Sequence, residues 1–99
     1  MTNKRVIIRP EAESDIEDAY QWYEAQRKGL GENFLLCVEE ALARITRNPV
    51  IYSVVYKDIR RILIHRFPFG VFFIEGENSI SVLAVLHARR NPKKWKGHT

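Results

Sequence analysis

The chain has one cysteine, Cys37, and no apolar run near the roughly 20 residues that span a bilayer. A lone cysteine excludes an internal disulfide framework and suits a reducing compartment. Cys37 falls beside an apolar helical stripe, where a thiol reads as packing rather than as a nucleophile. No apolar h-region follows Met1-Thr2-Asn3-Lys4-Arg5, so no secretory signal is expected, and the sequence reads as cytoplasmic with no membrane partner. His65, His87 and His98 are too scattered to announce a metal site. A Gly-rich phosphate loop and a G-x-S-x-G nucleophile elbow are also missing. Repeats, linkers and low-complexity stretches are absent too.

What is present fits one globular domain, residues 1–99: hydrophobic residues make up 45% and charged residues 28%. A chain of this size buries somewhat over ~60% of its unfolded surface, enough for one core. The net charge of +4 is unevenly spread. Residues 1–50 carry seven Lys/Arg against nine Asp/Glu, while residues 51–99 carry nine against three. The acids gather between Glu11 and Glu24; Arg89 to Lys96 holds five bases and no acid. That asymmetry suits a surface for phosphates or for an acidic protein.

The local patterns alternate in kind. Arg5-Val6-Ile7-Ile8-Arg9 has strand composition, and Pro10 suits the first turn of a helix. Ser14-Asp15-Ile16-Glu17 also fits a capping box, giving a second candidate start. Ala12, Ile16, Ala19, Tyr20 and Tyr23 form one apolar stripe, with Asp15, Asp18 and Gln21 pointing elsewhere. Gly29-Leu30-Gly31 separates this helix from a second, striped by Phe34, Leu35, Val38, Ala41, Leu42 and Ile45 and closed by Asn48-Pro49. Strand chemistry follows at 51–56, 59–66, 71–74 and 80–86, with Phe67-Pro68-Phe69-Gly70 read as a turn. The last strand is the most apolar and is expected to be central. The expected fold is α+β: an N-terminal strand, a helical hairpin, then three to four mostly antiparallel strands, with the helices on one face of the sheet.

The candidate chemistry is cationic. Alternation places Arg60, Ile62, Ile64 and Arg66 on one face and Arg61, Leu63 and His65 on the other. On the last strand it groups Leu83, Val85, His87 and Arg89. A helix-free face would then expose a basic groove bordered by Arg61, His65, His87 and Arg89, suited to a phosphate backbone. The same residues also read as solvated charges at strand ends, the histidines simply hydrogen-bonded. The segment Arg89, Arg90, Lys93, Lys94 and Lys96 has a similar double reading. Trp95 weighs against a merely solvated tail, since a large ring is rarely left among lysines with nothing to pack on. Trp95 either docks back on the domain or offers an aromatic platform. Trp22, at the margin of the first stripe, is a candidate contact residue.

Several segments together resemble the RelE/ParE toxins. They are the Pro10-x-Ala12-x-x-Asp15-Ile16 helix entry, the Phe34-Leu35 helix ending in Asn48-Pro49, Ile59-Arg60-Arg61, Phe67-Pro68-Phe69-Gly70-Val71-Phe72-Phe73, and Val82 through Trp95. The likeness covers nearly the whole chain and is most specific in its last segment. It implies a RelE/ParE-like fold and the toxin half of a bacterial type II toxin–antitoxin system. A cognate antitoxin would wrap the toxin, and operator DNA would be bound only through that complex.

Two target classes follow from the resemblance. RelE-like members cut mRNA on the ribosome with a Lys/Arg set and a C-terminal Tyr; the basic groups stabilise the transferring phosphate, so no metal is required. Here Arg89 matches one arginine, Gly70 stands where another is expected, Trp95 replaces the tyrosine, and Arg60 and Arg61 would replace the lysines. An indole neither supplies nor accepts a hydroxyl proton. ParE-like members poison DNA gyrase without that set, and the His87-Ala88-Arg89-Arg90-Asn91-Pro92-x-x-Trp95 ending is closer to them. The expectation is a ParE-like gyrase inhibitor with no cofactor and no metal. Its target would be bound through Arg61, His65, His87, Arg89, Arg90, Lys93, Lys94 and Trp95. The alternatives are a metal-independent endoribonuclease acting through Arg60, Arg61 and Arg89, with the ribosome and mRNA as partners, and a non-toxic member that binds only its antitoxin.

Overall fold

A computed structural model describes residues 4–88. The order is β1 (Arg5–Ile8), α1 (Pro10–Gln26), α2 (Leu30–Arg47), a 3-10 turn (Pro49–Ile51), β2 (Val54–Tyr56), β3 (Ile59–Leu63), β4 (Phe69–Glu75) and β5 (Ser79–His87). The five strands form one sheet in the order β1-β5-β4-β3-β2, with β1 parallel to β5 and the other pairs antiparallel. Both helices cover one face. Phe34, Val38, Ala41 and Ile45 of α2 and Ala12 and Ala19 of α1 pack with Ile62, Ile64, Val71, Phe73, Ile80, Val82 and Val85. This is the α+β architecture expected from the sequence.

The boundaries differ where local chemistry decides them. Helix α1 starts at Pro10 with no side-chain cap, so the Ser14 capping box is not used. Pro49 opens a 3-10 turn, which delays β2 to Val54. Strand β3 stops at Leu63, and Arg66 turns the chain with φ of 74°. Gly70 therefore lies inside β4 instead of in a turn; Ile64 N–H reaches Phe69 O at 2.9 Å and closes the hairpin. Strand β5 is interior, flanked by β1 and β4, and β4 takes the middle of the sheet.

The two helices are joined by a carboxylate. At the start of α2, Gly29 takes φ of 90° and offers no side chain to cap the orphan amides. Glu24 of α1 supplies the cap. Its oxygens accept from Gly29 N–H at 3.0 and 3.1 Å and from Gly31 N–H at 3.0 Å. A negative charge there also meets the positive end of the α2 dipole. Glu24→Ala is expected to cost about 1–2 kcal/mol in urea unfolding, with Glu24→Gln recovering part of it because one acceptor oxygen remains. Equal stability of Glu24→Ala and the parent chain would show the cap to be dispensable.

Candidate functional site

Strand β1 runs beside β5 only as far as Val82, and Arg9 N–H closes that pairing on Val82 O at 3.0 Å. Beyond it, the edge of β5 faces α1. There Asp15 Oδ2 accepts Val85 N–H at 3.0 Å. The pairing with β4 shifts at the same place: Phe73 lies opposite Val82 and Phe72 opposite Ala84, leaving Leu83 as an extra residue. The bulge reverses the alternation, so Ile80, Val82 and Val85 all face the helices. His87, two residues on, shares that side, with its ring 5.8 Å from Phe69.

The result is an open groove of about 660 Å³ between α1 and the ends of β4 and β5. Asp15, Asp18 and Trp22 form its helical wall, and Tyr23, Phe69 and Val85 its apolar floor. Trp22 is 64% exposed. The ring of Tyr23 packs edge-on against Phe67 and Phe69, with centroids 4.8 and 6.0 Å away, and beside Phe34 at 5.4 Å. Sequence reasoning picked out Trp22 but not the groove. Asp15, Asp18 and Trp22 recur at helical spacing along one edge of α1, which was the available signal.

The basic groove expected from strand alternation does not form from its described members. Arg61 lies on the helix-free face, its side-chain stem close over Gly70. His87 is on the helix side because of the bulge. His65 lies past the end of β3, with Nδ1 3.7 Å from Glu40 Oε1 of α2. Arg66 is in the turn, off the face expected for it. Arg61 and His65 do share a shallower recess of about 360 Å³ with Arg44 and Tyr52. Arg44 spans it, donating to Glu40 Oε1 at 3.0 Å and to Leu63 O at 3.2 Å. Arg89, Arg90, Lys93, Lys94 and Trp95 lie outside the described residues.

The two candidate catalytic arginines of β3 are separated by the sheet. Arg60 donates to Val50 O at 3.2 Å and to Tyr52 O at 2.7 Å, tying down the 3-10 segment. Arg61 projects on the opposite side, among Phe72, Ile59 and Ala84. One phosphate cannot be gripped by both. Among the described residues no group of three His, Cys, Asp or Glu side chains could hold a metal ion, and no helix is long and apolar enough to cross a membrane.

Comparison with known proteins agrees with this geometry. The family model described as ParE toxin of type II toxin–antitoxin system, parDE, matches residues 6–92. Proteins named Toxin ParE2 from two strains of Mycobacterium tuberculosis are 26% identical over 90 residues, 90% of this chain and 86% of theirs. A chain of a solved structure described as the chromosomal ParDE TA system from P. aeruginosa superposes with a TM-score of 0.71. That match has 16% identity and covers 85% of this chain and 95% of the other.

The floor of the groove has an electrostatic signature. Burial raises the Tyr23 hydroxyl above the ordinary phenol pKa of 10.0. The folded chain then holds that proton more tightly than the unfolded chain. Stability from this group is complete below about pH 10 and falls as pH rises through the folded-state value. Melting temperature between about pH 9 and pH 11 should therefore drop less in Tyr23→Phe than in the parent. Parallel drops in the two would place the hydroxyl in water.

Proposed function

The chain belongs to the ParE toxin family of type II toxin–antitoxin systems, and we propose that it acts by binding DNA gyrase and is neutralised by a cognate antitoxin. The observation that carries this reading is the division of Arg60 from Arg61 across the sheet. A metal-free nuclease needs several cations converging on one phosphate. On the helix-free face Arg61 lies over Gly70 and opposite apolar Phe72 on the neighbouring strand. That surface suits contact better than proton transfer. The segment from Arg89 to Lys94 adds four more bases without an acid, which favours a polyanionic target such as the DNA held by gyrase.

The antitoxin reading has separate support. The groove beside Trp22 pairs an apolar floor with two carboxylates on its wall, the surface expected to meet a protein partner rather than nucleic acid. His87, on the helix side of the sheet, is set apart from Arg61, whereas His65 shares a recess with it; the gyrase surface in this reading rests on Arg61, His65, Arg89, Arg90, Lys93, Lys94 and Trp95.

Purified gyrase with ATP and relaxed plasmid should lose supercoiling activity and accumulate cleaved DNA when the chain is added. Replacing Arg89, Arg90, Lys93 and Lys94 together by Ala should weaken this at least about tenfold in half-inhibitory concentration, as expected when several phosphate contacts are lost, with the circular dichroism spectrum unchanged. Undisturbed supercoiling with no cleaved DNA would sink the gyrase reading. In that case, primer extension on mRNA during induction, with cuts that vanish in Arg89→Ala, would establish the nuclease. No effect in either assay, with antitoxin binding retained, would identify a non-toxic member.

A further inference from the structure

Strand β3 has an open edge beyond the last residue that β2 covers. Arg61 N–H reaches Ser53 O at 3.1 Å on the β2 side, and Ile64 N–H reaches Phe69 O at 2.9 Å on the β4 side. Between them, the antiparallel pattern turns the Leu63 amide away from β4, toward the place where β2 would continue. There the chain preceding Ser53 has left the sheet for the 3-10 turn Pro49–Ile51. Leu63 O is taken by Arg44 Nη2 at 3.2 Å. Leu63 N–H has no acceptor among the described residues, and Leu63 is 51% exposed.

The recess of about 360 Å³ at this edge gathers Arg44, Arg61 and His65. One carboxylate of the chain itself serves part of that set: Glu40 accepts from Arg44 Nε at 3.0 Å and stands 3.7 Å from His65 Nδ1. Arg61 is left over. It is half-buried, with its stem packed over Gly70, and has no hydrogen bond or ion pair among the described residues. A guanidinium that has lost part of its water and gained no acceptor calls for one from outside. We propose that this edge binds an extended, acidic segment of a partner protein. A carboxylate of the segment meets Arg61, a backbone carbonyl accepts from Leu63 N–H, and an apolar side chain covers Ile51 and Leu63.

Three features favour that occupant. Arg61 and the Leu63 amide offer donors only, so the ligand has to supply acceptors, as strand addition with an acidic side chain does. Ile51 and Leu63 are 63% and 51% exposed in the same recess, an apolar flank that a sugar–phosphate backbone would leave wet. Glu40, beside His65, opposes a polyanion more strongly than a single carboxylate. A second copy of this chain is disfavoured by charge: two copies meeting through this edge would set Arg44 and Arg61 against the same residues. The inference goes beyond the gyrase and antitoxin readings. A segment seated here would cover Arg61, which the gyrase reading also uses, but its binding does not depend on that reading.

Backbone-amide NMR on the full chain, with no gyrase or antitoxin present, tests the site with a short capped peptide alternating aspartate and valine. The Leu63 amide should move progressively as the peptide is added. Arg61→Gln should weaken binding about tenfold, as expected when a hydrogen bond to a charged group is lost. Arg61→Lys, which keeps the charge, should fall between the two and serves should Arg61→Gln fail to fold. Glu40→Gln releases Arg44 and His65 for the ligand and should tighten binding severalfold. A Leu63 amide that does not move overturns the proposal, as does an equal response to a peptide alternating lysine and valine. An oligothymidylate that shifts the same amides at lower concentration overturns it in favour of nucleic acid. Shifts that appear on concentrating the chain alone overturn it in favour of a second copy. The site is read without gyrase, so a failed gyrase assay leaves this result standing and a failed peptide titration leaves the gyrase result standing.

Discussion

The hydrogen bond from Val85 N–H to Asp15, with the bulge at Leu83, decides which face of the sheet Val85 and His87 take. Without the extra residue, β5 would continue the alternation of Ile80 and Val82, and Val85 would turn away from the helices. With it, Val85 enters the main core and its amide, past the end of β1, is satisfied by a carboxylate from α1. A buried amide left unbonded there would cost about 1–3 kcal/mol. One side chain therefore stabilises an irregularity in the sheet and fixes the crossing of α1 over β5. The groove follows from that crossing.

The bulge also explains how much of the molecule was legible in the sequence. The helical stripes were readable because Phe34, Val38, Ala41 and Ile45 obey a 3.6-residue period, and all four are buried as the period requires. The α+β layering followed from the switch to period-two runs after Pro49. The candidate site was less legible because strand alternation fails silently at a bulge. Counting by twos from Leu83 groups it with Val85 and His87, whereas the extra residue moves those two to the opposite face. No feature of Leu83-Ala84-Val85 marks the slip, which is decided by an acid about 70 residues earlier in the chain. The separation of Arg60 from Arg61, by contrast, was legible: adjacent strand residues must diverge, and they do.

The 59–66 segment shows a second limit. Its composition reads as one long strand, yet β3 ends at Leu63. Two long-range contacts decide this. Arg44 of α2 takes Leu63 O, and His65 stands near Glu40 of the same helix, so the chain turns where α2 holds it. The turn frees Phe67 and Phe69 to enter the aromatic group with Tyr23 and Phe34. Gly70, read as a turn residue, is then a strand residue whose missing side chain makes room for the Arg61 stem; a Cβ there would come within 3.1 Å of it.

The sheet presents two apolar faces and the described chain supplies one layer of helices. A domain this small has little surface to spare, since about 60% burial is near what its size permits. Ile59 and Phe72, at the middle of the helix-free face, are each 1% exposed, while Ile7 and Leu63 toward its margins are 44% and 51% exposed. The other side of the molecule presents the carboxylates of α1 around an apolar groove. The sheet thus holds Arg61 apart from Asp15 and Asp18, because adjacent strand residues diverge to opposite faces and the helices take one of them.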